Sequence, residues 1–209
     1  GVLSMVESWL GAAAFRDGVR LHLRRHEHGS ATSDEFFATL AESARQPAVV
    51  EAFRSFVEQP GVPLVSLEAT NGRDWRATQQ RYRPVGSEIG LGQLWKVPLC
   101  VRSDAGNPSA APSCSLLAGA EGKLDLPPAG SAVMPNANGA GYYRFSLAEP
   151  ELARLVAVAA QLPAPEAIML ADSVAAAFRA GQLSFANLLT AARELAASPS
   201  RPAATLLSR

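Results

Sequence analysis

The order of three differently patterned stretches constrains the fold of this chain more than any other feature. Apolar residues recur at helical spacing from residue 1 to about residue 59, and again after Pro150. Between Pro63 and about Leu147, short extended runs are separated by glycine, proline, asparagine and aspartate. Such runs without intervening helices favour an antiparallel β-sandwich. We therefore predict an α+β, multi-domain fragment with a helical segment, then the sandwich, then an α-helical hairpin.

The N-terminal helical pattern divides into four predicted helices. The first ends near Leu10, the second spans about residues 13–28, and the fourth starts after Pro47, which suits a first helical turn. The third begins at Thr32, whose side chain can bond the first-turn amides while Glu35 reaches back, as in a capping box. Proline and glycine then end the helical pattern.

The central stretch begins with a predicted β-hairpin. Residues 64–70 and 75–83 read as strands, and Asn71 with Gly72 accepts the positive φ that tight hairpin turns need. Five further runs are predicted strands of the same sandwich: residues 94–102, 113–117, 123–126, 132–134 and 142–146.

Helical periodicity returns after Pro150. The predicted helices cover residues 151–162, residues 166–179, and a third stretch from Ser184 to about Ala197. Residues 198–202 are predicted to be frayed. Two or three helices are too few to close a bundle, so we expect them to open a longer helical array.

The charge balance and the N-terminus bound the possible partners. Of 209 residues, 19 are Lys or Arg and 19 are Asp or Glu, so the formal net charge is zero. No whole-molecule field is expected to gather nucleic acid, and no apolar run reaches the roughly 18 residues that cross a bilayer. The chain starts at Gly1 without a signal-peptide pattern and reads as the middle of a helix. We expect it to be part of a longer polypeptide.

Two histidines at helical spacing invite a zinc-site interpretation. His22 and His26 share a helix face, as in H-E-x-x-H, but Leu23 stands where that motif has its catalytic glutamate. Three neighbouring arginines also oppose cation binding. All three histidines lie on this helix and no G-x-S-x-G elbow is present, so a Ser-His type site is not indicated. We therefore predict no catalytic residue, no metal ligand and no cofactor in this chain.

The two cysteines suggest a cross-strand disulfide. Cys100 and Cys114 lie on neighbouring predicted strands, separated by residues 104–108, which suit a turn or loop. The open alternative is two unpaired buried thiols. A disulfide would place the parent protein in the periplasm or outside the cell, because cytosolic thiols stay reduced.

Four groups of residues resemble, in order, landmarks of one enzyme family. They are Trp9-Leu10-Gly11 with Phe15-Arg16-Asp17-Gly18; Phe56 with Gln59-Pro60-Gly61-Val62-Pro63; Gly141-Tyr142-Tyr143-Arg144; and Leu170-Ala171-Asp172 with Ala180-Gly181. Together they resemble the C-terminal part of the gluzincin zinc aminopeptidases, the family of aminopeptidase N and leukotriene hydrolase. Phe56 stands where the family usually has tryptophan, and Val62 where it often has an aromatic residue.

The resemblance implies a division into three domains. Residues 1–61 would be the helical end of a thermolysin-like catalytic domain, residues 62–147 the β-sandwich, and residues 148–209 the first helices of a truncated α-solenoid. The implied activity of a bacterial parent protein is the removal of N-terminal residues from peptides, with zinc activating the water. The zinc motif H-E-x-x-H is absent from this sequence, so this fragment is expected to be inactive alone.

The residues that carry the resemblance are expected to be structural. We call the following the signature residues: Gln59, Pro60, Gly61, Pro63, Gly141, Tyr142, Tyr143, Arg144, Asp172 and Gly181. The expected partners are the missing catalytic domain, the remaining solenoid and the peptide substrates of the parent protein. The rival hypothesis is a stand-alone, non-catalytic peptide- or protein-binding module. An upstream zinc motif in the same reading frame would separate the two hypotheses.

Overall fold

The computed structural model describes residues 1–71, 74–90, 92–126 and 130–207. Its N-terminal part consists of four helices: α1 (Val2–Leu10), α2 (Ala12–Arg25), α3 (Ser33–Ala44) and α4 (Ala48–Val57). The predicted capping box is confirmed, because Thr32 Oγ1 accepts from the Glu35 amide and Glu35 Oε2 accepts from the Thr32 amide. The start of α3 is therefore set by local sequence.

These helices pack around a shared apolar core. Phe37 of α3 and Phe53 of α4 stack with ring centroids 4.2 Å apart, and both are buried. Gly18 lets α2 approach α3 closely, because a Cβ at this position would lie 2.7 Å from Leu40 Cδ2. Aromatic stacking and close approach thus hold the helical segment together.

The described strands form two sheets. They are β1 (Pro63–Asn71), β2 (Asp74–Arg81), β3 (Val97–Val101), β4 (Ser113–Leu117), β5 (Glu121–Asp125) and β6 (Arg144–Leu147). The larger sheet has the order β5-β2-β1-β6, and β3 pairs with β4 in the smaller one. The predicted hairpin is confirmed, since β1 and β2 pair antiparallel. Gly72 and Arg73, at its predicted turn, lie outside the described residues.

Alternation along the strands places apolar side chains between the two sheets. Val65 and Leu67 of β1 and Trp75 of β2 are buried in one cluster with Val97 and Leu99 of β3. Alternate positions of β2 are exposed or half-buried on its other face. The α+β class with a β-sandwich is therefore confirmed.

Two strand predictions need correction. Strand β6 pairs with β1 in parallel, because the chain returns to that edge only after the long connection through β2, β3, β4 and β5. The predicted strand at residues 132–134 is reduced to one bridge between Arg102 and Met134. Pro135 follows at once and has no amide hydrogen with which to extend the ladder.

The C-terminal part is an array of four helices within the described residues: α5 (Glu149–Ala157), α6 (Ala164–Arg179), α7 (Phe185–Ala196) and α8 (Arg201–Leu206). The predicted helix 151–162 ends early, because its last turn is a 3-10 turn at Ala159–Gln161. Ser184 caps α7 as predicted, accepting from the Asn187 amide at 3.2 Å.

The predicted frayed tail is wrong. Ser198 Oγ accepts from the Ser200 amide at 3.2 Å, and both serines are buried. Helix α8 follows, and its Ala203 is fully buried in the core formed with α5, α6 and α7. Pro202 does not prevent this, because a proline in the first helical turn needs no amide hydrogen.

Three apolar clusters follow the chain order. The first joins α1, α3 and α4, the second lies between the sheets, and the third joins β6 to the C-terminal helices. Val2 packs against the first two clusters, and Leu147 packs against the last two. These two residues therefore link each cluster to the next.

In the described part of the chain, no helix is long and apolar enough to cross a membrane.

Candidate functional site: the signature residues

The first signature residues form the turn that leads into the sandwich. Gln59 Nε2 donates to the Leu94 carbonyl at 2.8 Å. Gly61 has a φ of 117°, a conformation that favours glycine, and a Cβ there would lie 2.8 Å from Arg81 Nε. Pro63 then starts β1 opposite Arg81. These residues therefore fix the path of the chain between α4 and β1.

The second group begins with a glycine held by a buried asparagine. The Gly141 amide donates to Asn136 Oδ1 at 2.8 Å, and Asn136 Nδ2 donates to the Gly141 carbonyl at 3.0 Å. A Cβ on Gly141 would lie 2.2 Å from Tyr143 Cε1, so the ring occupies the space beside the glycine. Sequence reasoning missed Asn136, because a buried role for asparagine is uncommon and left no local pattern.

Tyr143 and Tyr142 have opposite environments. The Tyr143 ring is buried and its hydroxyl donates to the Pro135 carbonyl at 2.8 Å. Burial raises the pKa of Tyr143 well above its ordinary value, so this phenol stays protonated and acts as a donor. Tyr142 is 42% exposed, and its ring packs edge-on against Phe56 of α4. The pair therefore links the sandwich to the N-terminal helices.

Arg144 and Asp172 connect the sandwich to α6. Arg144 Nε donates to Asp172 Oδ2 at 3.0 Å, and the guanidinium lies 4.4 Å from the Tyr82 ring centroid. The next residues repeat the contact, because the Phe145 amide donates to Ser173 Oγ at 3.2 Å. Helix α6 thus covers the free edge of β6.

A second ion pair between the sandwich and α6 is fully buried. Arg102, just after β3, donates through Nη2 to Glu166 Oε1, and through Nη1 to the Pro108 carbonyl at 2.7 Å. The Asn138 amide donates to the same Glu166 oxygen at 2.6 Å. Sequence reasoning missed this pair, because arginine and glutamate are ordinarily exposed and the two lie 64 positions apart.

The cysteines form a disulfide in this structure. Cys100 and Cys114 are directly opposite each other on β3 and β4. Cys100 is buried, Cys114 is half-buried, and Cys114 Sγ lies 3.8 Å from the Ser8 carbonyl oxygen of α1. The crosslink therefore connects the two strands of the smaller sheet beside the first helix.

The histidine pair lies at the C-terminal end of α2, with His22 in its last turn and His26 directly after it. The His22 and His26 rings are 4.6 Å apart, and the His22 ring packs edge-on against Phe36. Two of the three neighbouring arginines, Arg20 and Arg25, are paired with carboxylates. Across residues 1–71, 74–90, 92–126 and 130–207, no three His, Cys, Asp or Glu side chains are grouped to hold a metal ion.

The sequence is similar to known aminopeptidases over about half of its length. An aminopeptidase N of Lactococcus lactis subsp. cremoris strain MG1363 is 34% identical over 98 residues, 47% of this chain and 11% of that protein. An aminopeptidase N of Lactobacillus helveticus is 30% identical over 104 residues, 50% of this chain and 12% of that protein. This half of the chain is homologous to aminopeptidases.

A protein from a third genus is similar over the same share of the chain. A probable aminopeptidase 2 of Sulfurisphaera tokodaii is 30% identical over 98 residues, 47% of this chain and 12% of that protein. No protein-family model matches the chain. Because the chain spans only about a tenth of each relative's length, the activity of a whole protein comes to it only as a proposal.

Proposed function

We propose that this chain is a non-catalytic, supporting portion of a zinc metallo-aminopeptidase that removes N-terminal residues from peptides. The observation that carries the proposal is the 30–34% identity to aminopeptidases from three sources. The signature residues support a structural role, because their contacts hold neighbouring elements together. Asp172 binds Arg144, Tyr143 binds a carbonyl, and Gln59 binds another.

The proposed division gives residues 1–61 to the end of a catalytic domain, residues 62–147 to a β-sandwich and residues 148–209 to the start of an α-solenoid. The three apolar clusters support this division, because they follow one another in the same order. Helices α1 to α4 would then pack behind the active site of the parent protein. The missing catalytic domain and the remaining solenoid are the proposed partners.

The zinc of such an enzyme would be held by the parent protein. A catalytic zinc site needs three protein ligands and an open position. Within the described ranges, His22 and His26 have no third ligand grouped with them, so these residues do not fit that site. The contribution proposed for this chain is to position the parent's catalytic layer through α1.

A periplasmic or secreted location is proposed for the parent protein. The disulfide between Cys100 and Cys114 supports it, because structural disulfides persist mainly in oxidising compartments.

A stand-alone binding module is the second candidate. Exposed apolar side chains on α7 favour it, since Phe185 is 67% exposed and Leu189 is 42% exposed. In the leading proposal the same face is covered by further helices of the solenoid.

The reading frame upstream of Gly1 separates these candidates. The proposal expects the frame to continue with a catalytic tyrosine and, further upstream, a glutamate ligand and H-E-x-x-H. A start codon and signal peptide directly before Val2, with no zinc motif in the frame, would leave the binding module.

A further inference from the structure

We infer that the Cys100–Cys114 disulfide is a redox-sensitive tether that keeps α6 docked on the sandwich. This inference is independent of the proposed function. It depends on where the crosslink lies, on what the segment between the cysteines touches, and on which sulfur a reductant can reach.

The crosslink lies in the smaller of the two described sheets. Strands β3 and β4 pair only with each other among the described strands, and each has five residues. A two-stranded sheet is marginally stable by itself, so this one depends on the packing of buried β3 and on the links between its two strands. The disulfide joins residues directly opposite each other near one end of this pair, so it closes residues 101–113 into a short loop.

That closed loop inserts into the C-terminal helical core. Ala105 is fully buried in the cluster formed by α5 to α8, and its amide donates to the Ala132 carbonyl at 2.9 Å. Arg102 binds the Pro108 carbonyl within the loop and Glu166 at the first turn of α6. The order of the loop is therefore transmitted to α6 through a buried ion pair.

The stability of a buried ion pair depends strongly on the position of its two charged groups. Arg102 and Glu166 are 2% and 0% exposed, so their charges are stabilised only while their mutual geometry is held. Two backbone hydrogen bonds to Met134 hold the Arg102 main chain, so the loop acts on the Arg102 side chain through the Pro108 carbonyl that its Nη1 binds. If that carbonyl moves away, the guanidinium loses a partner and its geometry with Glu166 is no longer fixed. Opening the first turn of α6 to water is the direct way to relieve the cost of burying these charges.

Cys114 is the less buried cysteine of the pair, so we expect attack at its sulfur. A thiolate of a dithiol reductant attacks Cys114 Sγ, the bond to Cys100 Sγ breaks, and Cys100 leaves as a thiolate that takes up a proton. The second thiol of the reductant then closes its own disulfide and releases Cys114 as a thiol. The protein disulfide gains two electrons and the dithiol loses two.

The reduced protein also gains a new donor. Cys114 Sγ lies 3.8 Å from the Ser8 carbonyl, which is in the last turn of α1, where helix carbonyls lack intrahelical donors. The disulfide sulfur carries no hydrogen, but the Cys114 thiol can donate to this oxygen. Reduction therefore exchanges a bond across the small sheet for a contact with α1.

Hydrogen exchange on the intact chain, oxidised and reduced by dithiothreitol without denaturant, tests the inference. We expect amides of residues 101–117 and of the first turns of α6 to exchange about tenfold faster after reduction, while α2 and α3 stay unchanged. The Cys100→Ala/Cys114→Ala protein should show the exchange rates of the reduced wild-type protein, and dithiothreitol should not change them. Once the reductant has released both thiols, alkylation should label half-buried Cys114 faster than buried Cys100.

A second variant isolates the proposed link. Arg102→Met with Glu166→Met removes the ion pair while retaining apolar volume, so reduction should still loosen residues 101–117 but no longer change α6. Equal exchange of α6 in the oxidised and reduced wild-type protein would overturn the inference. So would a disulfide that dithiothreitol leaves intact in the folded chain, or a redox response of α6 that persists in the double variant.

Discussion

Among the described glycines, Gly141 has the least room for a side chain. A Cβ at this position would lie 2.2 Å from Tyr143 Cε1, and the glycine backbone is held on both sides by Asn136. The Tyr143 ring cannot retreat freely, because it is buried and its hydroxyl is bound. The glycine, the asparagine and the tyrosine therefore form one packed unit.

Gly141→Ala should reduce the free energy of unfolding by roughly 1–3 kcal/mol, because the methyl group overpacks this unit. Gly119→Ala is the matched control, since the nearest atom to its Cβ would be 3.9 Å away. Urea unfolding of both variants provides the measurement. Equal free energies of unfolding for Gly141→Ala and Gly119→Ala would show that the Tyr143 ring can move aside without destabilising the fold.

Tyr143→Phe should change how stability depends on alkaline pH. Burial raises the folded-state pKa of Tyr143 above its ordinary value of about 10, so the folded state keeps a proton that the unfolded state loses. Stability is thus fully present below about pH 10 and falls as pH rises above it. In Tyr143→Phe, this alkaline decrease in the free energy of unfolding should disappear. At neutral pH the variant should be less stable by roughly 1–3 kcal/mol, because the Pro135 carbonyl loses its donor.

Urea midpoints measured from pH 8 to about pH 11 provide the check, with Tyr142→Phe as the control because that ring is 42% exposed. An identical alkaline slope in wild type and Tyr143→Phe would contradict the account.

The sequence alone predicted the role of some individual residues but not of others. Thr32 and Glu35 were recognisable because a capping box is encoded within four consecutive residues. Asn136, Arg102 and Glu166 were not, because each takes its role from a partner that only the fold brings near. Such residues carry no local periodicity or spacing.

Helix α6 is the element that ties the C-terminal array to the sandwich. Its first turn holds Glu166 against Arg102, and its middle presents Asp172 to Arg144 and Ser173 to the Phe145 amide. The first contact is buried, whereas the Arg144 and Asp172 side chains are 26% and 34% exposed. Most of the sensitivity to substitution should therefore lie at the buried end.

Glu166→Gln should lower the free energy of unfolding by about 3–5 kcal/mol, because it leaves the Arg102 charge buried without its partner. The double change Arg102→Met/Glu166→Met should recover much of that loss, since two apolar side chains replace the pair. Asp172→Asn, at the more exposed pair, should cost about 1 kcal/mol or less. Urea unfolding of the three proteins would contradict this ranking if Asp172→Asn were the most damaging.

Element prediction succeeded where periodicity was long and failed where pairing decided the outcome. The helices from α1 to α7 and the β1–β2 hairpin follow from spacing, caps and turn residues. The parallel partner of β1 could not be predicted, because β6 meets β1 only after four intervening strands. Helix α8 was missed because the prolines and serines around it resemble a frayed tail, whereas burial of Ala203 stabilises it.

For the whole molecule, the apolar surface of the C-terminal array is the feature left uncovered. Phe178 and Phe185 contact each other with ring centroids 6.3 Å apart, and both are exposed, as is Leu189. An apolar face of this kind suits an array that continues into further helices or binds a partner.

Phe185→Ser should reduce binding of a hydrophobic dye and weaken self-association at high concentration, because it removes the most exposed of these rings. Val57→Ser serves as the control, since Val57 is 56% exposed on α4, away from this face. Dye fluorescence and sedimentation provide the readout. A chain that stays monomeric and binds no dye would argue against an uncovered array.

The most direct test of the central claim compares this chain with the product of its complete reading frame. Both proteins are dialysed, analysed for zinc and assayed with aminoacyl substrates. We predict one tightly bound zinc and hydrolysis for the complete product, and neither for the chain alone, because the proposal assigns the three ligands and the general base of the catalytic site to the rest of the parent protein. Zinc-dependent hydrolysis by the chain alone, or a complete product with neither zinc nor activity, would contradict the account.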